Sequence, residues 1–301
     1  MKNIKYISFV IVLLLFGCDE DKFSQVKTIE LPEHTPRLAV TAKLSNSFSP
    51  STFVSHSQAL LDESDYKEIA NATVNIWKGD EILMDFNWDD NSRTYLPDDV
   101  LPDFEEGVTY KLEASADGYE PIVAFQELPK NCEIVNVVFT ENAFVGQFGD
   151  TMSIIEVEIK DDGSTENFYS LDLFESGTFP DGSEQIFTID GYSEDPLMEY
   201  GFDDEYFPDV TFNGGNYIMR YLIDENNLGE IFGLNSGGTF DGLVIRVNSY
   251  SKELYDYDIS VQIFEDSQDI PFVEPVLIST NFDNGFGIFG LLNFTTFEYE
   301  F

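Results

Sequence analysis

The chain has few of the residues from which most catalytic and metal sites are built. It contains two cysteines, Cys18 and Cys132, and two histidines, His34 and His56, in 301 residues. A zinc site needs several cysteine or histidine ligands, and a serine hydrolase needs a histidine beside an activated serine. No Gly-x-Ser-x-Gly elbow is present in the sequence. The sequence therefore argues against both kinds of enzyme.

Positive charge is also scarce. Lysine and arginine number 15 against 57 aspartates and glutamates, and the formal net charge is −42. Binding to nucleic-acid phosphates, or to an anionic membrane through a basic patch, is excluded because both need clustered lysine and arginine. Strong negative charge keeps a protein soluble and attracts cations. The chain is not a disordered acidic one, because 43% of its residues are hydrophobic and 15% are aromatic.

Calcium is the inorganic ligand that such a chain favours, because this ion accepts oxygen donors. The densest acidic loop comprises Asp203, Asp204, Glu205 and Asp209. We regard it as a candidate calcium site, with a solvated turn as the alternative interpretation. No other cofactor is indicated by the sequence.

Long apolar runs are absent after the first residues of the chain. Lys2 and Lys5 precede an apolar run of about ten residues, which is shorter than the roughly 20 that a membrane-spanning helix needs. The run ends in Leu15-Phe16-Gly17-Cys18, which resembles a lipobox. We therefore expect residues 1–17 to be a lipoprotein signal peptide.

The predicted lipid acceptor is Cys18. Two or three acyl chains give stable anchoring, so we expect the mature protein to sit on a membrane without crossing it. Residues 18–36 are acidic and proline-containing and are predicted to be a flexible tether. Acylation of Cys18 leaves Cys132 without a disulfide partner, and we interpret Cys132 as a small buried hydrophobe rather than a nucleophile.

The rest of the chain has the alternation of β-strands. Leu38, Val40, Ala42 and Leu44 lie two residues apart, and similar runs recur at 73–77, 110–114, 155–159, 168–174 and 243–247 with glycine-containing turns between them. This pattern predicts a mainly β protein, with a β-sandwich domain over 37–129 and a second β-rich domain over 131–301. Residues 251–264 fit either a helix or a strand by spacing, and we favour a helix because Ser249 and Ser251 can serve as N-caps.

Several motifs, taken in order, resemble an uncharacterised family of Bacteroidota lipoproteins, known as domain of unknown function 4249. Besides the lipobox, they lie at residues 31–32, 36–40, 71–74, 107–112, 118–119, 128–129, 251–257, 271–275 and 279–290. Phe282 departs from the isoleucine that is usual in the last motif. The resemblance implies an N-terminal β-sandwich like the immunoglobulin-like regulatory domains of carboxypeptidases, and a genomic neighbourhood of TonB-dependent receptors. It assigns no catalytic residue.

The glycines of the last motif also have a physical interpretation. Gly285, Gly287 and Gly290 lie among aromatic and branched residues. A glycine permits close approach of two backbones, so we favour a packing role over a ligand-binding one.

The functional expectation is an outer-membrane lipoprotein that faces the cell surface, because the acidic Asp19, Glu20 and Asp21 resemble a surface-export signal. We expect a non-enzymatic accessory that binds a TonB-dependent receptor or its substrate. A surface glycan or peptide hydrolase using two carboxylates is one alternative, and a structural or adhesion protein is another. Thr151, in Asp150-Thr151-Met152, resembles an O-glycosylation motif, with a chance tripeptide as the alternative.

Overall fold

The computed structural model describes most of the chain after the predicted tether. The described residues are 33–46, 51–59, 62, 64, 67–98, 103–146, 149–189, 191–193, 197, 206–225, 228–229, 231–232, 237–268 and 276–300. Residues Pro36–Phe301 form one compact unit. Its fold is mainly β, as the sequence predicted.

Seven strands come from the first part of this unit. They are β1 (Leu38–Leu44), β2 (Thr52–His56), β3 (Thr73–Lys78), β4 (Glu81–Asp89), β5 (Thr94–Pro97), β6 (Thr109–Ser115) and β7 (Ile122–Glu127). Their apolar alternation produces the core, since Leu38, Val40, Ala42 and Leu44 are all buried on one face of β1. In β3 and β6, the apolar residues at alternate positions are buried in the same way, as predicted.

Nine further strands and one helix follow among the described residues. They are β8 (Glu133–Val145), β9 (Thr151–Lys160), β10 (Phe168–Thr178), β11 (Glu184–Thr188), β12 (Gly191–Ser193), β13 (Phe207–Pro208), β14 (Asn216–Asp224), β15 (Thr239–Tyr250), α1 (Lys252–Gln268) and β16 (Phe286–Glu300). Within this described part, no helix is both long and apolar enough to cross a membrane.

The last strand, β16, joins the two parts of the fold. Its residues Phe286–Leu291 pair with β1 in parallel, and Leu292–Glu300 pair with β15 in antiparallel. The large sheet therefore runs in the order β11-β10-β15-β16-β1-β2-β5-β4-β3-β6-β7, with β13 beside β10. The last strand in this order, β7, contacts the residues just before β16, because the Asp283 N–H donates to the Val123 carbonyl of β7 at 3.0 Å.

A second, four-stranded sheet, β12-β14-β9-β8, covers the β10-β15-β16 region. The core between the two sheets is formed by alternate residues of β9, β10, β14 and β15, such as Val157, Leu171, Met219 and Ile245. A separate core lies within the β1–β7 part. Phe282, Phe289 and Leu291, from the last part of the chain, also belong to this core. The division into domains 37–129 and 131–301 stays a prediction.

The ambiguous segment near residue 251 is a helix. It begins at Lys252 and ends at Gln268, four residues beyond the predicted end, and the strand interpretation is wrong. Ser251 directly precedes it and joins it to β16, because its backbone N–H donates to the Leu291 carbonyl at 3.0 Å and its hydroxyl accepts from the Leu291 N–H. Leu254 of the helix packs on Ile288 of β16 in a small third core.

The glycine motif before and within β16 has the predicted packing role. A methyl group at Gly290 would lie 2.7 Å from the Leu254 side chain, so the glycine allows α1 to rest on the strand. Gly287 has φ +94, and a methyl group there would overlap the Val40 carbonyl of β1. These two glycines therefore permit the close contacts that hold β16 against β1 and α1.

Candidate functional site

The residues predicted to anchor the protein lie outside the described residues. They are Leu15, Phe16, Gly17, Cys18, Asp19, Glu20 and Asp21. Asp203, Asp204 and Glu205 of the candidate calcium loop also lie outside. Thr151 and Asp209 are described: Thr151 is half-buried at the start of β9, and Asp209 is buried.

Asp161, just after β9, is a buried acceptor of four hydrogen bonds. Its Oδ1 accepts from the Tyr169 hydroxyl at 2.5 Å and from the Asn167 amide at 2.9 Å. Its Oδ2 accepts from the backbone N–H groups of Gly163 at 2.9 Å and Gly214 at 2.7 Å. Burial, together with this bond to the carboxylate, raises the pKa of Tyr169. Asp161 therefore ties the turn after β9 to the turn before β14.

Asp209 is linked to Asp161 through one amide. Its Oδ2 accepts from the Asn167 backbone N–H at 3.0 Å, and lies 3.3 Å from the same Asn167 side-chain nitrogen that contacts Asp161. Burial raises the pKa of Asp209, and the nearby charge of Asp161 adds to this effect. Among the described residues, no three Asp, Glu, His or Cys side chains are grouped to hold a metal ion. Asn167 therefore connects the two carboxylates, and their hydrogen bonds join the turn after β9 to the loop that contains Asp209.

Cys132 is the small buried hydrophobe that the sequence predicted. Its side chain belongs to the core between the two sheets, and burial raises the pKa of the thiol to about 12.

Because the thiolate is the reactive form, we expect no modification of Cys132 by an aromatic disulfide reagent at pH 8 in the folded protein, and full reaction in denaturant. Absorbance of the released thiol measures both, and rapid reaction of Cys132 without denaturant would contradict the assignment.

Two clefts lie on either side of the end of β16. The outer cleft, of about 500 Å³, crosses the ends of β10, β11, β15 and β16. The seam cleft, of about 570 Å³, lies between β8 and β16. Tyr299 and Glu300 line both. The region around these two residues is the candidate functional site.

The outer cleft is a hollow in the solvent-facing side of the large sheet. Gly242 is paired with Ser176 on one side and Glu300 on the other, so the middle of this row carries no side chain. Four carboxylates line the hollow, together with Ile186, Leu243 and Val244; the acids are Glu184, Asp241, Glu298 and Glu300. Any ligand here meets strong negative potential.

A row of polar side chains continues along the same side of the sheet. The Arg246 guanidinium donates to Asp172 Oδ2 at 2.6 and 2.9 Å and lies over the Phe174 ring, 4.7 Å from its centroid. The Asn248 amide donates to Asp172 and to Ser170, each at 2.9 Å. Sequence analysis missed this row, although polar residues at alternate positions of otherwise apolar strands were the available signal.

The seam cleft lies where the core between the two sheets reaches solvent. Phe297 of β16 is paired with the buried Ile245 and so faces the core side, yet it is 37% exposed. Phe139 of β8 and Tyr299 of β16 meet across the cleft with ring centroids 5.9 Å apart. The acids Glu141 and Glu300 complete its lining.

The positive charges of the described chain are mostly neutralised within it. Nine lysine and arginine side chains each form an ion pair with a carboxylate, for example Lys130 with Asp162 and Arg220 with Glu156. None of the residues lining either cleft is a lysine or an arginine. The acids at the clefts therefore face solvent without cations among the lining residues.

Comparison with known protein families identifies the family to which this chain belongs. Residues 26–298 match the family described as Domain of unknown function (DUF4249), and the chain belongs to that family. No curated protein matches the chain.

Proposed function

We propose that this protein is a lipid-anchored outer-membrane protein, facing the cell surface, that serves as a non-enzymatic binding accessory of a TonB-dependent receptor. The observation that supports binding is the pair of clefts around Tyr299 and Glu300, one acidic and one with an apolar floor. Ligand sites in proteins are concave and combine apolar side chains with a few polar groups. The resemblance of the sequence to Bacteroidota lipoproteins encoded beside such receptors supplies the class of partner, which is an association rather than a mechanism.

The proposal is tested by purifying the native protein from its own membranes in mild detergent and identifying what co-purifies by mass spectrometry. We expect a TonB-dependent receptor in near-stoichiometric amount. Recovery of no receptor, together with normal growth of a deletion strain on every nutrient tried, would count against the proposal. Turnover of a glycan or peptide by the purified protein, lost on a single Asp or Glu substitution, would instead support the hydrolase alternative.

Anchoring at Cys18 has its own test. The substitution Cys18→Ser removes the thiol that would receive diacylglycerol, so we expect loss of palmitate labelling and an uncleaved leader. Cys132→Ser is the matched control, because it removes the other cysteine and should leave labelling intact. Unchanged labelling of Cys18→Ser would show that the lipid is carried elsewhere or not at all.

Glycosylation at Thr151 is a further expectation. Thr151 is the first residue of β9, and the carbonyl of the preceding Asp150 accepts from the Gly146 N–H at 2.7 Å, so the motif lies at the start of the strand. Intact-mass analysis of the native protein should show glycan mass above the lipidated polypeptide, and Thr151→Ala should remove it. A native mass equal to that of the lipidated polypeptide alone would refute this modification.

A further inference from the structure

The outer cleft has the size and the lining of a small-molecule site. Its volume is about 500 Å³, and ligand pockets in proteins generally enclose about 300–1,000 Å³. Ile186 of β11 lines it with 57% of its surface exposed, and the half-buried Val244 of β15 lines it as well. A ligand with an apolar part would cover these two side chains, and removing their surface from water favours binding.

Carboxylates lie on two opposite sides of this cleft. Glu184 belongs to β11, whereas Glu298 and Glu300 belong to β16, and β10 and β15 run between these two strands. Asp241 is on the Glu184 side, because Thr178 is paired with Glu184 and donates to Asp241 at 2.7 Å. Neighbouring strands lie about 4.8 Å apart, so three spacings separate the two sides by about 14 Å.

The two acidic sides are too far apart for one metal ion. Within the described ranges, no three acidic, histidine or cysteine side chains are grouped to hold a metal. None of the ion pairs formed among the described residues includes Glu184, Glu298 or Glu300. The cleft therefore matches a cation from solution whose positive groups are separated by an apolar chain.

We infer that the outer cleft binds a linear polyamine, a small molecule in which ammonium groups are joined by short apolar chains. Its methylene groups lie against Ile186 and Val244. One terminal ammonium group reaches Glu184, and the other reaches Glu298 and Glu300 on the opposite side. The inference rests on the proposed binding function and names the class of ligand that this site takes.

Isothermal titration calorimetry of the purified full chain with spermidine tests the inference. We expect saturable binding of one spermidine per chain at physiological salt. Butylamine should bind at least about tenfold more weakly, because its single ammonium group meets only one side of the cleft. Magnesium ion should also bind at least about tenfold more weakly, because it carries its charge at one point and has no apolar part to cover Ile186.

Charge-neutralised variants locate the site. Glu298→Gln/Glu300→Gln removes the charge on the β16 side and should weaken spermidine binding at least about tenfold. Asp117→Asn/Glu120→Asn makes the same change in net charge at exposed positions of the β6–β7 turn, and should alter binding by less than about twofold at physiological salt.

Ile186→Ser separates the apolar contact from the charge. It leaves every carboxylate in place, so a site made by charge alone would bind spermidine unchanged. We expect binding at least about threefold weaker, because the methylene groups lose the side chain that they cover. Since Ile186 is 57% exposed, the thermal midpoint of this variant should stay close to that of the wild type.

Four results would overturn the inference: no saturable binding of spermidine, equal binding of butylamine or magnesium ion, equal loss in the two charge-neutralised variants, or unchanged binding by Ile186→Ser. Tighter binding of a trilysine peptide than of spermidine would also overturn it, because the occupant would then be a protein segment. A receptor that co-purifies with a protein that does not bind spermidine would retain the accessory function and reject the polyamine site. Spermidine binding without any co-purifying receptor would do the reverse.

Discussion

Gly287→Ala should destabilise the protein by at least about 3 kcal/mol. Gly287 has a backbone φ of +94, which L-residues rarely adopt, and an added methyl group would overlap the Val40 carbonyl of β1. The overlap can be relieved only by moving β16 away from β1 along their parallel pairing. Thermal unfolding followed by circular dichroism should show a midpoint about 6–12 °C lower.

Gly118→Ala is the matched control for this substitution. Gly118 has a similar φ of +88, but a methyl group there would meet no atom within 4 Å. Gly118→Ala should therefore lower the free energy of unfolding through backbone strain alone, by about 1–2 kcal/mol. Equal destabilisation by the two substitutions would show that the contact between Gly287 and Val40 does not matter to the fold.

Asp161→Ala should be comparably damaging, by about 3–5 kcal/mol, because it leaves buried donors without an acceptor. The groups affected are the Tyr169 hydroxyl, the Asn167 amide and the backbone N–H groups of Gly163 and Gly214. Urea unfolding should show the loss as a lower midpoint. Asp161→Asn keeps one acceptor oxygen and removes the charge, so we expect an intermediate loss.

The neighbouring Asp162→Ala is the control. Asp162 pairs with Lys130 at 2.8 Å on the surface, where water can replace the lost partner. Its midpoint should stay close to that of the wild type. If Asp162→Ala and Asp161→Ala were equally stable, the buried cluster would not be holding the two turns together.

Local alternation was enough to predict six of the strands that form the cores, but not others such as β7, β14 and β16. The buried faces of β1, β3 and β9 follow from residues two apart, such as Val40, Ile76 and Val157, because side chains alternate in every strand. The sequence favoured the helix at Lys252 but could not exclude a strand, since the spacing of its apolar residues fits both the helical period and the strand period. Its N-terminal serine bonds to Leu291, a contact that local sequence cannot reveal.

The candidate site depended on long-range pairing and could not be predicted in this way. Alternation assigns Phe297 to the core side of its strand but does not show that β16 is an edge there. The partner change of β16 at Leu291 and Leu292 joins the first and last strands of the chain, and a pairing so distant in sequence leaves no local pattern. Asp161 was likewise indistinguishable from its many acidic neighbours, because its importance comes from four donors at three places along the chain.

Binding to a receptor can be tested in intact cells with a photo-crosslinker in place of Phe297. Benzoylphenylalanine is phenylalanine with a benzoyl group added to the ring. Phe297 is 37% exposed and lies on the same face of β16 as Tyr299, which lines the seam cleft. Irradiation of intact cells should give one dominant adduct, containing a TonB-dependent receptor, and the same group in place of the exposed Asp117 should give none. No receptor adduct from position 297, or the same adducts from both positions, would contradict receptor binding at the seam cleft.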